Sequence, residues 1–443
     1  MCKKLVVANL PKLAINRTPL PHPKKSLPLP SMKFDDYRIS PEIKRNLEEM
    51  GLKRPTDIQF KSIPPILKGE DVLAIAQTGT GKTAAFAIPI LHMLQAQKRS
   101  ARSEGIKCVV MVPTRELALQ ITEVFERIGR HTKVKVFSVF GGVEQGPQIA
   151  RLEKGIDVLV TTPGRMFDLV SQGYIHLDRV QMLVLDEADH MLDLGFIKDI
   201  RDLIRFLPKQ RQTLFFSATI NEKIKTLAYS LVRGAAIRIQ VSPKNPVAKN
   251  IQHAVAFISM DDKRFFLARL IEENPDNKIL VFVRTKVRAE RVHKALERAN
   301  IASITIHGDK DQQDRLKAMQ QFREGSVKVL IATDVSARGI DIPDVDFVVN
   351  YDLPDVAENY VHRVGRTGRG KQKGRAVSFC SPEEKPILAE IETYLTEPIE
   401  VQAIHKDDYE EIVAQHEFTS DKMKSLMQEI EEAEKWERKK RKK

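Results

Sequence analysis

Short, wholly apolar runs alternate with longer stretches of helical periodicity along most of the chain. The runs Val72 to Ala76, Cys108 to Val112, Asp157 to Thr161, Met182 to Leu185 and Thr213 to Phe216 place apolar residues at consecutive positions, as strands covered on both faces require. After a polar stretch from Pro243 to Asn250 the pattern restarts at Lys278 to Val283, Ser303 to Ile306, Val327 to Ala332, Phe347 to Asn350 and Gly374 to Cys380. The alternation predicts two α/β units, 32–241 and 251–390, each a mainly parallel sheet flanked by helices. Residues 242–250 would be the hinge. Residues 1–31, with Pro19, Pro21, Pro23, Pro28 and Pro30 among lysines, read as a flexible basic arm. In 391–443, Met423, Leu426, Met427, Ile430 and Ala433 recur at helical spacing before the basic run Arg438 to Lys443. That predicts an amphipathic helix with a basic tail.

Polar residues collect directly after the strands. The first apolar run leads into Ala76-Gln77-Thr78-Gly79-Thr80-Gly81-Lys82-Thr83 and then a helical pattern, an arrangement that lets backbone N–H groups and a helix N-terminus cradle phosphate. Lys82 would reach the β- and γ-phosphates, and Thr83 would ligate Mg²⁺. The run Met182 to Leu185 ends in Asp186-Glu187-Ala188-Asp189, two acids at the carboxyl edge of a buried strand, where ligands of open α/β sheets sit. Asp186 would hold the metal, partly through water, and Glu187 would polarise an attacking water. Together the two segments predict a nucleoside triphosphatase. Thr219 with Glu222 reads as a helix capping box, and Pro163 as a first-turn proline. Neither role explains why Arg115, Arg165, Arg338, Arg363, Arg366 and Arg369 recur after strands.

Composition narrows the partner class. A 42% hydrophobic content over 443 residues suffices for two cores, and 72 Lys plus Arg against 59 Asp plus Glu leave a net charge of +13, which favours a polyanionic partner. Cys2, Cys108 and Cys380 lack metal or redox spacing and are expected to be packing thiols. No apolar run reaches the ~18 residues of a membrane span, and Asn9, Pro11 and Lys12 interrupt the N-terminal apolar residues. A cytoplasmic protein is expected.

The ordered motifs resemble those of the DEAD-box RNA helicases over residues 32 to 380, with bacterial RhlE-type members as the expected subgroup. The resemblance rests on Phe34 with Pro55 to Gln59, Ala76 to Thr83, Pro113 to Ala118, Gly141-Gly142, Thr162 to Arg165, Asp186 to Asp189, Ser217 to Thr219, Val281 to Thr285, Thr333 to Asp341 and His362 to Arg369. It implies two tandem RecA-like domains, and an RNA-dependent ATPase that uses ATP and Mg²⁺ and unwinds RNA locally and non-processively. Gln59, beside Thr56, would choose adenine through its amide. Phe34 would stack on the base, or else anchor the first helix in the core. Asp341 is similar to the family's ribose contact, and Arg366 and Arg369 to its arginine fingers. Asp189, Ser217, Thr219 and His362 resemble residues that couple nucleotide state to RNA. Arg115, Gly142, Thr162 and Arg165, with Arg284, Gly308 and Thr333, resemble its RNA backbone contacts, which position a strand without reading its sequence. The alternative of another functional class is an ATP-gated RNA clamp or assembly scaffold with little unwinding.

Overall fold

The computed structural model describes residues 32–76, 79–100, 105–220, 222–232, 236–241, 247, 250–334, 345–368, 373–405, 407–412 and 414. The first unit holds β1 (Val72–Ala76), β2 (Cys108–Met111), β3 (Val136–Val139), β4 (Val158–Thr161), β5 (Met182–Leu185), β6 (Gln212–Ser217) and β7 (Ile237–Val241). The second holds β8 (Ile251–Phe257), β9 (Ile279–Val283), β10 (Ile304–Ile306), β11 (Val329–Thr333), β12 (Phe347–Asn350), β13 (Gly374–Cys380) and β14 (Glu400–Val401). Their orders are β3-β4-β2-β5-β6-β1-β7 and β10-β11-β9-β12-β13-β8-β14, with every pairing parallel. Counted from its own first strand, each sheet follows the same order. The two units are therefore alike in topology, although no residue-level repeat is visible.

The pleat divides each central strand between two helical layers. Val72, Ala74 and Ala76 face one core cluster, whereas Leu73 and Ile75 face the other. Leu280 and Phe282 separate from Ile279, Val281 and Val283 in the same way. Burial on both sides explains the unbroken apolar runs. Cys108 and Cys380 are buried free thiols, and burial pushes both above the ordinary thiol range.

Four strands lie outside the apolar runs: β3, β7, β8 and β14. They sit at or near sheet margins and carry polar, solvent-facing residues such as Arg238, Gln240 and Gln252, so the continuous-run signal fails there. The second unit also continues past the expected boundary at 390. Its helix Lys385–Leu395 spans that position, β14 pairs with β8, and Ile404, Tyr409 and Ile412 join the core. Tyr409 fastens this return, donating to Asp262 Oδ2 at 2.7 Å and accepting from Ser259 N at 3.1 Å. The expected basic arm, the expected hinge apart from residues 247 and 250, and the expected amphipathic helix around Met423 to Ala433 with its basic tail lie outside the described residues. Among those described, no helix is long and apolar enough to cross a membrane.

Candidate active site

The site forms where β1, β5 and β6 end. After β1 the chain turns through Gly79 and Gly81, at φ 79° and 91°, into helix Lys82–Ser100. A Cβ at Gly81 would collide with the Gln59 amide, so glycine is required there for space as well as conformation. Gln59 donates from Nε2 to the Gly81 carbonyl at 3.1 Å and accepts from Thr56 N at 3.0 Å. One N–H and one lone pair of the amide remain, enough to meet the adjacent N7 acceptor and N6 donor of an adenine. Phe34 departs from the stacking expectation: it is 3% exposed and packs with Tyr37 in the core, which leaves next to no ring face for a base. Its apolar ring gains more from burial beside the first helix than from an open cleft.

Lys82 is buried, and its Nζ has no hydrogen-bond partner among the described residues. An orphaned buried ammonium beside a glycine turn is what a phosphate site presents before it fills. Asp186 closes β5, also buried, with one carboxylate oxygen accepting from Glu187 N at 3.0 Å. Burial pushes its carboxyl up to about 6, against the pull of the Lys82 charge. A hydroxyl at Thr83 and a carboxylate at Asp186 are hard oxygen donors suited to Mg²⁺, which commonly takes few protein ligands and completes its shell with water and phosphate.

Glu187 sits at φ 52° and ψ 48°, in the left-handed region, at the start of helix Ala188–Asp193. Such strain in a non-glycine residue persists only where the surroundings over-determine it. Burial alone would raise its carboxyl, but His190 beside it and the charges of Lys82 and Arg366 outweigh that and hold it at about 2. Arg366 comes from the second unit and is itself buried. Asp189 Oδ2 accepts from Ala218 N at 3.1 Å, Thr219 N at 2.9 Å and Thr219 Oγ1 at 3.1 Å. Thr219 does not form the expected capping box with Glu222, because Glu222 is itself the first residue of the following helix and not its third, and the Thr219 hydroxyl donates to Asp189. The Ser217 hydroxyl, at the end of β6, is buried with no partner among the described residues.

A second group of residues gathers after β2, β3 and β4. A Cβ on Gly142, at φ +74°, would overlap the Arg115 guanidinium. Arg165 donates to the Val143 carbonyl at 2.9 Å while its Nη1 is buried without a partner among the described residues. Thr162, nearly buried, precedes helix Pro163–Ser171, whose first-turn proline is as expected. Burial, with the charges of Arg315 and Arg165, lowers the Arg115 pKa against the opposing effect of Glu116. Arg315 belongs to the second unit and bridges Glu116 of the first at 2.8 Å. Three guanidinium groups thus meet where the units touch.

The remaining expected residues are distributed unevenly. Gly308 follows β10 with open space about its Cα, and Thr333 ends the neighbouring β11. Arg284 is held by its own unit, by Asp355 at 2.9 Å, Glu384 at 3.3 Å and the Leu353 carbonyl at 3.2 Å. Arg363 is no surface arginine: it is 2% exposed and forks onto Asp334 at 2.6 and 2.7 Å. His362, half-buried, lies beside it on helix Ala357–Val364. Gln77, Thr78, Arg338, Asp341 and Arg369 lie outside the described residues. Glu116, His190 and Arg315 were not singled out from the sequence. His190 leaves a trace there as a helical i+3 neighbour of Glu187, and Glu116 as a member of the Pro113 to Ala118 motif, whereas Arg315 leaves none.

A family model described as DEAD/DEAH box helicase matches residues 56–227, and one described as helicase conserved C-terminal domain matches 262–371. The ATP-dependent RNA helicase RhlB of Shewanella frigidimarina is 43% identical over 383 residues, covering 86% of this chain and 88% of its own. RhlB of Shewanella woodyi is 43% identical over 377 residues, covering 84% and 85%. These bacterial relatives are of the RhlB type, not the expected RhlE type. Among solved structures, S. cerevisiae Dbp5 bound to RNA and ADP BeF3 superposes with a TM-score of 0.76 at 32% identity, over 87% of this chain and 99% of that one. Mss116 bound to ssRNA and UDP-BeF gives 0.77 at 28% identity, over 86% and 81%.

Proposed function

The chain belongs to the DEAD-box helicase family, and on that premise we propose that it remodels RNA locally and non-processively, its ATP and RNA sites being completed together when the two units meet. It is an ATP-dependent RNA helicase of the DEAD-box type. The observation that carries the finer reading is the meeting of the units at the site: Arg315 of the second bridges Glu116 of the first at 2.8 Å, and Arg366 of the second is buried, its charge acting on Glu187 of the first. An arginine supplied in this way is typically worth ~10³ to 10⁵ in rate. Hydrolysis would then wait for closure.

In this reading Lys82 would bind the phosphates, and Thr83 and Asp186 would hold Mg²⁺, which supplies charge neutralisation when bound. Glu187 would orient the attacking water, with Arg366 and Arg369 facing the developing charge. Gln59 would read adenine while tied to Gly81, so base recognition and the phosphate loop move as one. Asp189 and Thr219, with Ser217 and His362, would carry the coupling. Arg115, Gly142, Thr162 and Arg165 would hold an RNA backbone from the first unit, and Gly308 and Thr333 from the second, with Arg284 at the rim. Shifting the units from mostly open to mostly closed needs ~5.5 kcal/mol of differential binding, which two ligands in one cleft can supply jointly. ATP and RNA affinities should therefore rise reciprocally. The cytoplasm is the compartment that suits such a protein.

The test is steady-state ATP hydrolysis with and without single-stranded RNA, with Glu187→Gln as the control for contaminating ATPase. RNA stimulation abolished by that substitution supports the reading. Strand displacement on a short duplex then separates an unwinding enzyme from a clamp, since hydrolysis without displacement would favour the clamp.

A further inference from the structure

Helix Ala188–Asp193 begins directly after Glu187 and sets His190 one turn along, on the same face. His190 is 4% exposed, and neither Nδ1 nor Nε2 has a hydrogen-bond partner among the described residues. Buried polar groups are normally satisfied, so an imbalance of this kind calls for a group that arrives or moves. Nδ1 lies 3.5 Å from Glu187 Oε2, too long for a full hydrogen bond and short enough to become one with a small shift. The same carboxylate hangs from a strained left-handed backbone. The His190 backbone N–H, for its part, donates to Asp189 Oδ1 at 3.1 Å, and the other oxygen of Asp189 holds Ala218 and Thr219. One helical turn therefore links the coupling threonine to the carboxylate at the reacting centre.

We propose that His190 is a positioning residue for hydrolysis: its Nδ1–H closes on Glu187 Oε2 when nucleotide and the attacking water fill the site between the joined units, fixing the carboxylate and leaving Oε1 turned to that water. The inference rests on the role given above to Glu187. Catalytic hydrogen bonds are often long before the substrate complex forms and tighten within it, as the 3.5 Å separation requires. Asp189 gives the imidazole its second function. A shift of Thr219 on RNA binding is passed through Asp189 to His190 and so to the aim of Glu187.

The comparison that tests this uses His190→Asn, whose amide N–H occupies the place of Nδ1, and His190→Leu, of similar size with no donor. At saturating ATP and single-stranded RNA, the leucine variant should lose about 10- to 100-fold in kcat, the usual scale for a misoriented catalytic group. KM for ATP and the affinity for RNA should stay within about two-fold, since His190 touches neither ligand, and the asparagine variant should recover to within about three-fold of the parent. Should the leucine variant fail to fold, His190→Gln, whose amide reaches the Nε2 position, replaces it as the misplaced-donor arm. A kcat within two-fold of the parent in a folded variant with no donor at the Nδ1 position, leucine or glutamine, overturns the proposal. So does an asparagine variant no better than the leucine one when both bind a non-hydrolysable ATP analogue normally. A parent chain with no RNA-stimulated hydrolysis would instead sink the functional reading, and this role of His190 with it.

Discussion

Replacing Arg315 with methionine removes the ion pair that joins the two units while keeping most of the aliphatic stem. The pair is 2.8 Å long, and its Arg315 and Glu116 side chains are 13% and 6% exposed, so solvent screens it little. Stripping one partner from a buried pair costs about 3 to 5 kcal/mol, because the remaining charge stays desolvated. Here that penalty falls on the joined state alone, since separating the units returns Glu116 to water. The lower end applies, as the unit boundary is a rim and not a core. Arg315 also stands near the Arg115 charge, and relief of that repulsion returns on the order of 1 kcal/mol. The net loss is about 2 kcal/mol of closure, roughly 30-fold. Energy transfer between dyes on the two units, titrated with single-stranded RNA at saturating non-hydrolysable ATP, reads it directly. Arg315→Met should need about 30-fold more RNA for half-closure, and Glu116→Gln a comparable excess, the double variant losing less than the sum. Half-closure within two-fold of the parent, or a coupling under about 0.3 kcal/mol in the double-mutant cycle, would refute the reasoning.

Gly142→Ala should weaken RNA binding by at least about ten-fold, with nucleotide affinity unchanged, because the new methyl collides with the Arg115 guanidinium and the backbone is left-handed; fluorescence anisotropy on a labelled strand checks it. Asp186 makes a prediction about stability without nucleotide or metal. Its carboxyl is raised to about 6 in the folded chain, so between about pH 4 and 6 the folded state holds the extra proton, and stability falls as pH rises through that window. Asp186→Asn should therefore be more stable than the parent at pH 7, by up to about 3 kcal/mol, and the gain should vanish below pH 4; equal denaturation midpoints at pH 7 would contradict it. With about five phosphates neutralised, log affinity for single-stranded RNA should fall against log salt with a slope near −3.5, and a flat response would count against the arginine-lined surface.

Much of this was legible because buried parallel strands announce themselves. Leu73 and Ile75 must be apolar on one face and Val72 and Ala74 on the other, so the run itself marks the strand. Phosphate chemistry was equally plain, as Gly79, Gly81 and Lys82 follow such a run directly. What the sequence hid was side-chain commitment. Arg363 and Arg366 stand three residues apart in one motif, yet Arg363 turns inward to Asp334 while the charge of Arg366 reaches Glu187 across the units. Nothing in their spacing separates an arginine paired within its own unit from one whose charge acts on the other. Phe34 was legible as aromatic and apolar, but which competitor takes its ring, core or base, depends on where Tyr37 packs. The pairing of Glu116 with Arg315 joins residues about two hundred positions apart, beyond any periodicity.

The return of β14 to β8 has a practical consequence for anyone shortening the chain. The helicase C-terminal match ends at residue 371, and β13 is complete at Cys380, so a cut shortly after would look harmless. It would remove the partner of Ala254 and Val255, together with the Gln402 N–H that meets the Val255 carbonyl at 2.8 Å. The middle of β8 would then lose its cover, and Ile251–Phe257 would present a longer bare hydrogen-bonding edge to other molecules in solution, the ordinary template for sheet-to-sheet association. Glu400 and Val401, well beyond the matched helicase segment, thus cap an edge that the segment itself leaves open.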